Sequence, residues 1–218
     1  MRALRQWVWV LAAALLAATA FAATAAPLTR AQALAALAQP EATERLAGVA
    51  RLAEIGIARD ADRVLERLVD AVPYVRAAAS AAVWQIWSRS GDAGIDALFA
   101  RGVEQMQAAA LVEALATFDE IVRRKPAFAE GWNKRATIYY LLGEPAKSLM
   151  DCDEVFKRNP KHFGALSGAG QIHLQLGDLR RALEFFKRAV DVNPNLEGPV
   201  QMIPLLEEHF RDEEKNRT

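Results

Sequence analysis

The sequence predicts an all-α protein in which the helices pack as successive antiparallel pairs. Three prolines, Pro126, Pro160 and Pro194, are evenly spaced, and the residues around them repeat at the same interval. Proline ends a helix because it lacks a backbone N–H and its ring clashes with the preceding turn. Each interval therefore holds two helices and a turn, and its proline closes the unit before the next one begins.

Small residues recur where two helices of one unit must approach closely. They are Gly102, Ala136 and Gly170 on the first helices, and Ala114, Ser148 and Ala182 on the second helices. Gly143 and Gly177 stand where the chain leaves one helix and enters the next. The first unit has Ala109-Ala110-Leu111 at this place, without a glycine, so we expect a longer or distorted hairpin there.

The repeated residues resemble the tetratricopeptide repeat (TPR) family. Its pattern is W-x2-L-G-x2-Y, then A-x3-F, then P. Trp132-x2-Arg135-Ala136-x2-Tyr139 has its tryptophan and tyrosine, Ala182-x3-Phe186 has its second part, and the three prolines are spaced at the period of that family. The resemblance extends from near Ile95 to Leu196. It implies a right-handed α-solenoid of antiparallel helix pairs, with three TPR units over residues 93–196. It also implies a concave groove lined by the first helix of each pair.

Residues 26–92 show a second, shorter period. The pattern Arg45-x6-Leu52-x2-Ile55 recurs as Arg76-x6-Val83-x2-Ile86. The stretch from Asp70 to Ala79 is similar to the HEAT-like repeats of bacterial proteins, in which an aspartate ends one helix and Val-Arg with alanines opens the next. The helices predicted in this HEAT-like region span residues 29–38, 42–55, 61–69 and 75–88. Thr29 can cap the first of them, and Pro73 precedes the last.

Only three or four residues, around Ser90-Gly91-Asp92, separate the two repeat types, which is too few for a flexible linker. We therefore expect the two halves to stack continuously, with Trp84 and Trp87 covering the open face of the first TPR unit. After the third unit, residues 197–210 are predicted to form a capping helix. Residues 211–218 are predicted to be a charged tail.

Residues 1–25 have the pattern of a secretory signal. Arg2 and Arg5 precede an uncharged run rich in alanine and leucine, and Ala23-Thr24-Ala25 meets the small-x-small requirement of signal peptidase. The alternative is an uncleaved anchor, because about 20 uncharged residues suffice to span a bilayer. The first reading predicts a periplasmic protein, and the second predicts an inner-membrane anchor with a periplasmic domain.

Composition and charge restrict the classes of function. The chain has 27 basic and 27 acidic residues, which argues against a nucleic-acid surface, because such a surface needs an excess of positive charge. Cys152 is the only cysteine, so neither a disulfide within the chain nor a cysteine-based zinc site is expected. His162, His173 and His209 do not have the spacing that places two metal ligands on one helix face. We therefore predict neither catalysis nor a cofactor.

The candidate binding site is the concave face of the TPR units. The residues that the period places there and that offer amide, hydroxyl, ammonium or apolar contacts are Phe99, Met106, Asn133, Lys134, Thr137, Tyr140, Ser167, Gln171, Leu174 and Gln175. Amide side chains can bond the backbone of an extended or helical segment, so a protein or peptide partner is expected. TPR domains that clamp a terminal carboxylate use lysine, asparagine and arginine at set positions, of which only Lys134 matches here.

The first helix of the third unit is rich in glycine. Gly164, Gly168 and Gly170 lie within one predicted helix, and each costs about 1 kcal/mol relative to alanine. A closely approaching neighbour or ligand is the expected compensation.

Two classes of function are compatible with the sequence. The chain is either a scaffold that binds a segment of another protein in assembly of an envelope complex, or a constitutive subunit or homo-oligomer with its groove occupied.

Overall fold

The computed structural model describes residues 26–216. This part of the chain folds into eleven α-helices and contains no strand. The helices are α1 (Arg30–Ala36), α2 (Ala42–Ile55), α3 (Ala61–Leu65), α4 (Pro73–Trp87), α5 (Ala93–Gln107), α6 (Leu111–Arg124), α7 (Ala129–Leu141), α8 (Pro145–Arg158), α9 (Phe163–Gln175), α10 (Leu179–Val192) and α11 (Glu197–Lys215). The predicted all-α solenoid of helix pairs is confirmed. The signal predicted for residues 1–25 lies outside the described residues.

The short period of the HEAT-like region has a repeated structure behind it. The Arg45 guanidinium donates to the carbonyl oxygens of Gln39 and Pro40, and Arg76, its counterpart in the second unit, donates to those of Asp70 and Ala71. Helices α2 and α4 are therefore equivalent elements of the two units. The second unit differs because α3 ends at Leu65 and continues as a 3-10 turn over Glu66–Val69.

Buried aspartates connect the helices of this region. Asp70 accepts two hydrogen bonds from Arg45, at 2.7 and 2.8 Å, and Asp60 is held in the same bidentate way by Arg30. The hydrogen bonds from Arg45 lower the pKa of Asp70 below its usual value. Thr29 and Gln32 form a reciprocal capping box at the start of α1, as expected for an N-terminal cap.

The three TPR units are the pairs α5–α6, α7–α8 and α9–α10, and their small residues stand at close approaches. A Cβ atom on Gly102 would lie 2.6 Å from the Phe118 ring, and one on Gly170 would lie 2.6 Å from the Phe186 ring. In the second unit, the Ser148 hydroxyl donates to the Ala136 carbonyl oxygen across the pair, at 2.7 Å. Small residues at these positions therefore allow the two helices of each unit to pack.

The turn of the first unit is neither longer nor distorted, contrary to expectation. Ala109 adopts a left-handed conformation, with φ of 56°, and it occupies the place that Gly143 (75°) and Gly177 (77°) occupy in the other units. The same hydrogen bond follows in each turn, from the backbone N–H of the next residue to a carbonyl oxygen in the last turn of the preceding helix. Ala109 thus bears strain that the two glycines avoid.

The two halves do not stack continuously, and Trp84 and Trp87 do not cover the first TPR unit. Helix α4 lies against the third unit, where Phe163 is 1% exposed and belongs to the hydrophobic core of the HEAT-like region. The Asn195 amide also donates to the Leu68 carbonyl oxygen, at 2.7 Å. The HEAT-like region therefore folds back across the array. The physical reason is that Gly164 has no side chain, so the Trp84 indole can lie against the backbone at the start of α9.

Helix α11 packs on α10 through Leu206, which is 4% exposed. This helix occupies the position predicted for the capping helix and continues through the charged residues to Lys215, beyond the expected end at residue 210. Among residues 26–216, no helix is both long and apolar enough to span a bilayer.

Candidate partner-binding groove

A pocket opens between the first helices of the second and third TPR units. It has a volume of about 160 Å³ and lies between α7 and α9, with Ser148 and Cys152 of α8 contributing to its wall. Thr137, Tyr140 and Gln171 line it from the two first helices. Four predicted site residues, these three and Asn133, are thus brought together around one pocket, which we call the groove pocket.

Polar side chains remain accessible around the groove pocket. Thr137 and Gln171 are exposed, and the Gln175 amide donates a hydrogen bond to the Tyr140 hydroxyl. We refer to Thr137, Tyr140, Gly168, Gln171 and Gln175 as the inner strip. Its amide groups retain donors and acceptors that an approaching backbone can use.

The three glycines of α9 have different surroundings. Gly164 faces Trp84 and Gly170 faces Phe186, so both allow close packing. Gly168 has nothing within 4 Å of the place where a Cβ atom would stand, and it lines the groove pocket. The expected compensation by a close neighbour is therefore present at Gly164 and Gly170, whereas at Gly168 the missing side chain leaves open space.

A buried polar cluster closes one end of the groove. The Glu130 carboxylate, which is 1% exposed, lies 2.8 Å from His162 Nε2 and 3.1 Å from Lys134 Nζ, and it accepts from the Asn133 amide at 3.2 Å. The Ala165 N–H donates to His162 Nδ1, which assigns the imidazole proton to Nε2 and makes His162 a donor to Glu130. Burial opposes ionisation of Glu130, but the hydrogen bond from His162 and the ammonium of Lys134 outweigh it. The pKa of Glu130 is consequently held below its usual value.

The indoles of α4 cover this polar cluster. Trp87 stacks on His162 with ring centroids 4.5 Å apart, and Trp84 contacts the same imidazole edge-on at 5.4 Å. The Lys134 ammonium lies 5.6 Å from the Trp84 ring centroid. The groove is therefore closed at the start of α7 and α9 by the protein's own HEAT-like region, and it is open along the inner strip.

The other predicted site residues lie outside the inner strip, most of them at the closed end of the groove or against the cores of their own units. Asn133 is buried and Lys134 is half-buried, and both bond to Glu130 at the closed end. Phe99 is 7% exposed and points into the core of the first unit, in edge-on contact with Phe118 and Phe128. Met106 and Leu174 pack against the cores of their own units, and Ser167 is half-buried on α9.

Sequence reasoning missed the residues that close the groove. Glu130 was not singled out, although its spacing of four positions from Lys134 permits an ion pair on one helix face. No role was predicted for His162, whereas the structure makes it a buried cap of α9. The glycine in His162-Phe163-Gly164 was the available signal for a close neighbour.

His173 and Cys152 are buried and engaged in packing. The His173 imidazole stacks on the Phe185 ring, with centroids 5.4 Å apart. Burial raises the pKa of the Cys152 thiol to about 12, and the charges of Asp151 and Asp153 act in the same direction. Within residues 26–216, no three histidine, cysteine or acidic side chains are grouped so that they could hold a metal ion.

Comparison with protein families agrees with the repeat architecture. The tetratricopeptide repeat family matches residues 163–196. A TPR repeat-containing protein of Rhizobium etli is 33% identical over 122 residues, which cover 56% of this chain and 60% of that protein. The mouse FK506-binding protein-like is 37% identical over 68 residues, which cover 28% of this chain and 20% of that protein. The chain thus spans about three fifths of one relative and a fifth of the other.

Solved structures of similar fold cover a little over half of the chain. The first TPR domain of Spaghetti (RPAP3), bound to an HSP90 peptide, superposes with a TM-score of 0.51 at 19% identity and covers 54% of this chain and 93% of that domain. The TPR domain of Sgt2 from Aspergillus fumigatus has a TM-score of 0.51 at 20% identity and covers 58% of this chain and 84% of that one. At these identities the likeness concerns the fold alone.

Proposed function

Because the chain is a tetratricopeptide repeat protein, we propose that it is a non-enzymatic scaffold that binds a segment of another protein along the inner strip. The observation that carries this proposal is the inner strip itself, where exposed amide and hydroxyl groups surround the groove pocket. Amide side chains bond backbone groups without requiring a given sequence, and a pocket of this kind holds an apolar side chain.

The closed end of the groove restricts the ligand. The first RPAP3 TPR domain is bound to an HSP90 peptide in its structure, which supports segment binding as a mode. A clamp for a terminal carboxylate is not supported here, because Lys134, the one residue that matches such a clamp, is paired with buried Glu130. We therefore propose that an internal segment of a partner lies across the inner strip.

We further propose that the protein works in the periplasm and takes part in assembly of an envelope complex. The pattern of residues 1–25 supports export, with a cleaved signal as the preferred form and an inner-membrane anchor as the alternative. The mass of the protein recovered from an osmotic-shock fraction tests this. Cleavage before Ala26 gives a chain that starts at this residue, whereas recovery of the full-length chain in membranes supports the anchor.

The groove proposal is tested by affinity capture from an envelope extract, followed by a binding titration with the segment identified. The variant Thr137→Ala/Tyr140→Ala/Gln171→Ala is expected to weaken binding about tenfold or more, because a few residues near the centre of an interface, tyrosines among them, carry most of its energy. Asn133 is left unchanged because it bonds to buried Glu130. Glu113→Ala/Lys147→Ala/Glu184→Ala, exposed on the second helices, is the matched control.

A second candidate is a constitutive subunit or a homo-oligomer. It is favoured by apolar side chains exposed at the turns within the units, where Val112, Leu142 and Leu176 are 72%, 40% and 56% exposed. Light scattering after size exclusion decides this candidate. A monomer at every concentration argues against a homo-oligomer, whereas a stable dimer that Leu142→Glu/Leu176→Glu dissociates supports it.

A further inference from the structure

A second cavity lies where the HEAT-like region meets the connections between the TPR units. It has a volume of about 430 Å³ and is separate from the groove pocket. Leu65 and Trp87 line it from the HEAT-like region, and Phe128 lines it from the start of the second unit. Sites for small molecules usually have volumes of about 300–1,000 Å³ and often lie between domains. We refer to it as the interface cavity.

The side chains around the interface cavity carry an excess of positive charge. Four basic residues line it, and two of these are neutralised: Lys161 pairs with Asp62 at 2.8 Å, and Arg158 pairs with Glu154 at 2.6 Å. Arg89 and Lys125 form no direct ion pair within residues 26–216, and the charges of Asp96 and Asp92 act on them only from a longer distance. The remaining carboxylate in the lining, Glu130, already bonds to Lys134 and His162.

Arg89 is held in place by groups that carry no charge. Its guanidinium donates to the carbonyl oxygens of Leu52, Ala53 and Gly56, at 3.2, 2.6 and 3.2 Å, at the end of α2. Partial burial lowers the pKa of Arg89, and the more distant charge of Asp96 offsets only part of this effect. The lowered pKa agrees with a cation that has lost part of its hydration. An anion in the cavity would compensate this charge.

We propose that the interface cavity binds a small organic acid, with its carboxylate near Arg89 and Lys125 and its apolar body against Trp87 and Phe128. The two cations favour a ligand with a negative charge, and the aromatic walls favour a ligand with an apolar body. The site is independent of the inner strip, so its failure would leave the proposed function unaffected. Binding would join the HEAT-like region to the TPR array, because residues of both halves line the cavity.

The test uses 2-naphthoate as the probe, measured by calorimetry on the folded protein at low salt. Its matched comparisons are 2-naphthalenemethanol, which is neutral, and inorganic phosphate, which lacks the apolar body. We expect saturable binding of naphthoate. The affinity for each of the two other compounds should be about tenfold weaker or more, which corresponds to about 1.4 kcal/mol. Added salt should weaken naphthoate binding because it screens the charges.

Two variants locate the site. Lys125→Gln is expected to reduce naphthoate affinity about tenfold, whereas Arg123→Gln, exposed on α6 and outside the cavity lining, should leave it within about twofold. Thermal unfolding of both variants confirms that they are folded. In amide NMR spectra, naphthoate should shift the resonances of Ala127, Ala129 and Lys161 and spare that of Gly168.

Four binding results would overturn the proposal. They are the absence of saturable binding, equal affinity for the acid and the neutral alcohol, equal affinity for phosphate, and unchanged affinity in Lys125→Gln. Shifts confined to Gly168 and its neighbours would also overturn it, since they would place the probe in the groove pocket.

Discussion

The Trp84 indole lies directly on the backbone of Gly164, so that a Cβ atom there would overlap Cη2 of the ring and stand 2.7 Å from Cζ2. This contact joins α4 of the HEAT-like region to α9 of the third TPR unit. The docking of the two halves is therefore sensitive to a single methyl group added at residue 164.

Gly164→Ala is expected to lower the free energy of unfolding by about 2 kcal/mol, because an added methyl group in a packed interface forces the indole or the helix to move. Urea titration followed by tryptophan fluorescence measures this change. An unchanged midpoint would show that α4 can move away without loss of stability.

Gly168→Ala is the matched control, on the same face of the same helix and also half-buried. It is expected to raise the free energy of unfolding by about 1 kcal/mol, because alanine favours the helix and the added Cβ has no neighbour within 4 Å. Effects of the same sign at Gly164 and Gly168 would contradict the packing described for Trp84.

Ala109→Gly is expected to stabilise the protein by about 0.5–1 kcal/mol. The left-handed conformation costs alanine about 1–2 kcal/mol, which exceeds the added backbone entropy of glycine. Ala108→Gly tests the specificity, because Ala108 has an ordinary φ of −79° and should lose stability on this change. Thermal melts of both variants measure the two changes in stability. A loss of stability in Ala109→Gly would argue against the left-handed turn.

Glu130→Gln is expected to destabilise the protein at pH 7 by about 3 kcal/mol, because it leaves Lys134 without its buried partner. The folded-state pKa of Glu130 lies below its usual value, so the stabilisation is complete above the unfolded pKa of about 4.3. It is lost as pH falls through the folded pKa. The difference in free energy of unfolding between the parent protein and Glu130→Gln should therefore become smaller in acid.

Denaturant titrations at pH 7 and at several acidic values measure this narrowing. A difference that stays constant from neutral pH into acid would mean that Glu130 is already protonated in the folded protein. That result would also contradict the ion pair with Lys134.

Cys152 is expected to resist thiol reagents in the folded protein. Burial raises the pKa of its thiol from 9.0 to about 12, which reduces the thiolate fraction about a thousandfold at pH 8. The rate of reaction with a chromogenic disulfide in buffer, compared with that in denaturant, measures the protection. Rapid labelling of the folded chain would show that the reagent reaches Cys152 in the wall of the groove pocket.

Local signals predicted most of the helical architecture. Residues 42–55 were predicted as a helix and α2 has these bounds, because a helical pattern of apolar residues and flanking breakers suffice for such an element. The docking of Trp84 could not be predicted, since the spacing of the apolar residues in α4 tells only which face of this helix is apolar. The surface that covers that face belongs to α9, which is distant in sequence.

The candidate site was predicted in part for a similar reason. The TPR period correctly brought Thr137, Tyr140 and Gln171 to one pocket. It could not show that the start of the same helices is covered, so Asn133 and Lys134 were placed on the open face. Periodicity gives the direction of a side chain relative to its own helix, and the covering surface depends on long-range packing.

The bond between Asn195 and Leu68 connects two segments that lie far apart in the sequence. Repeat arrays normally have only neighbour contacts, so their end units can separate one at a time. In this chain the last TPR unit cannot separate without also losing its contacts with the HEAT-like region. We therefore expect one cooperative unfolding transition, and slower folding than an open array of this length would show, because distant segments must meet first.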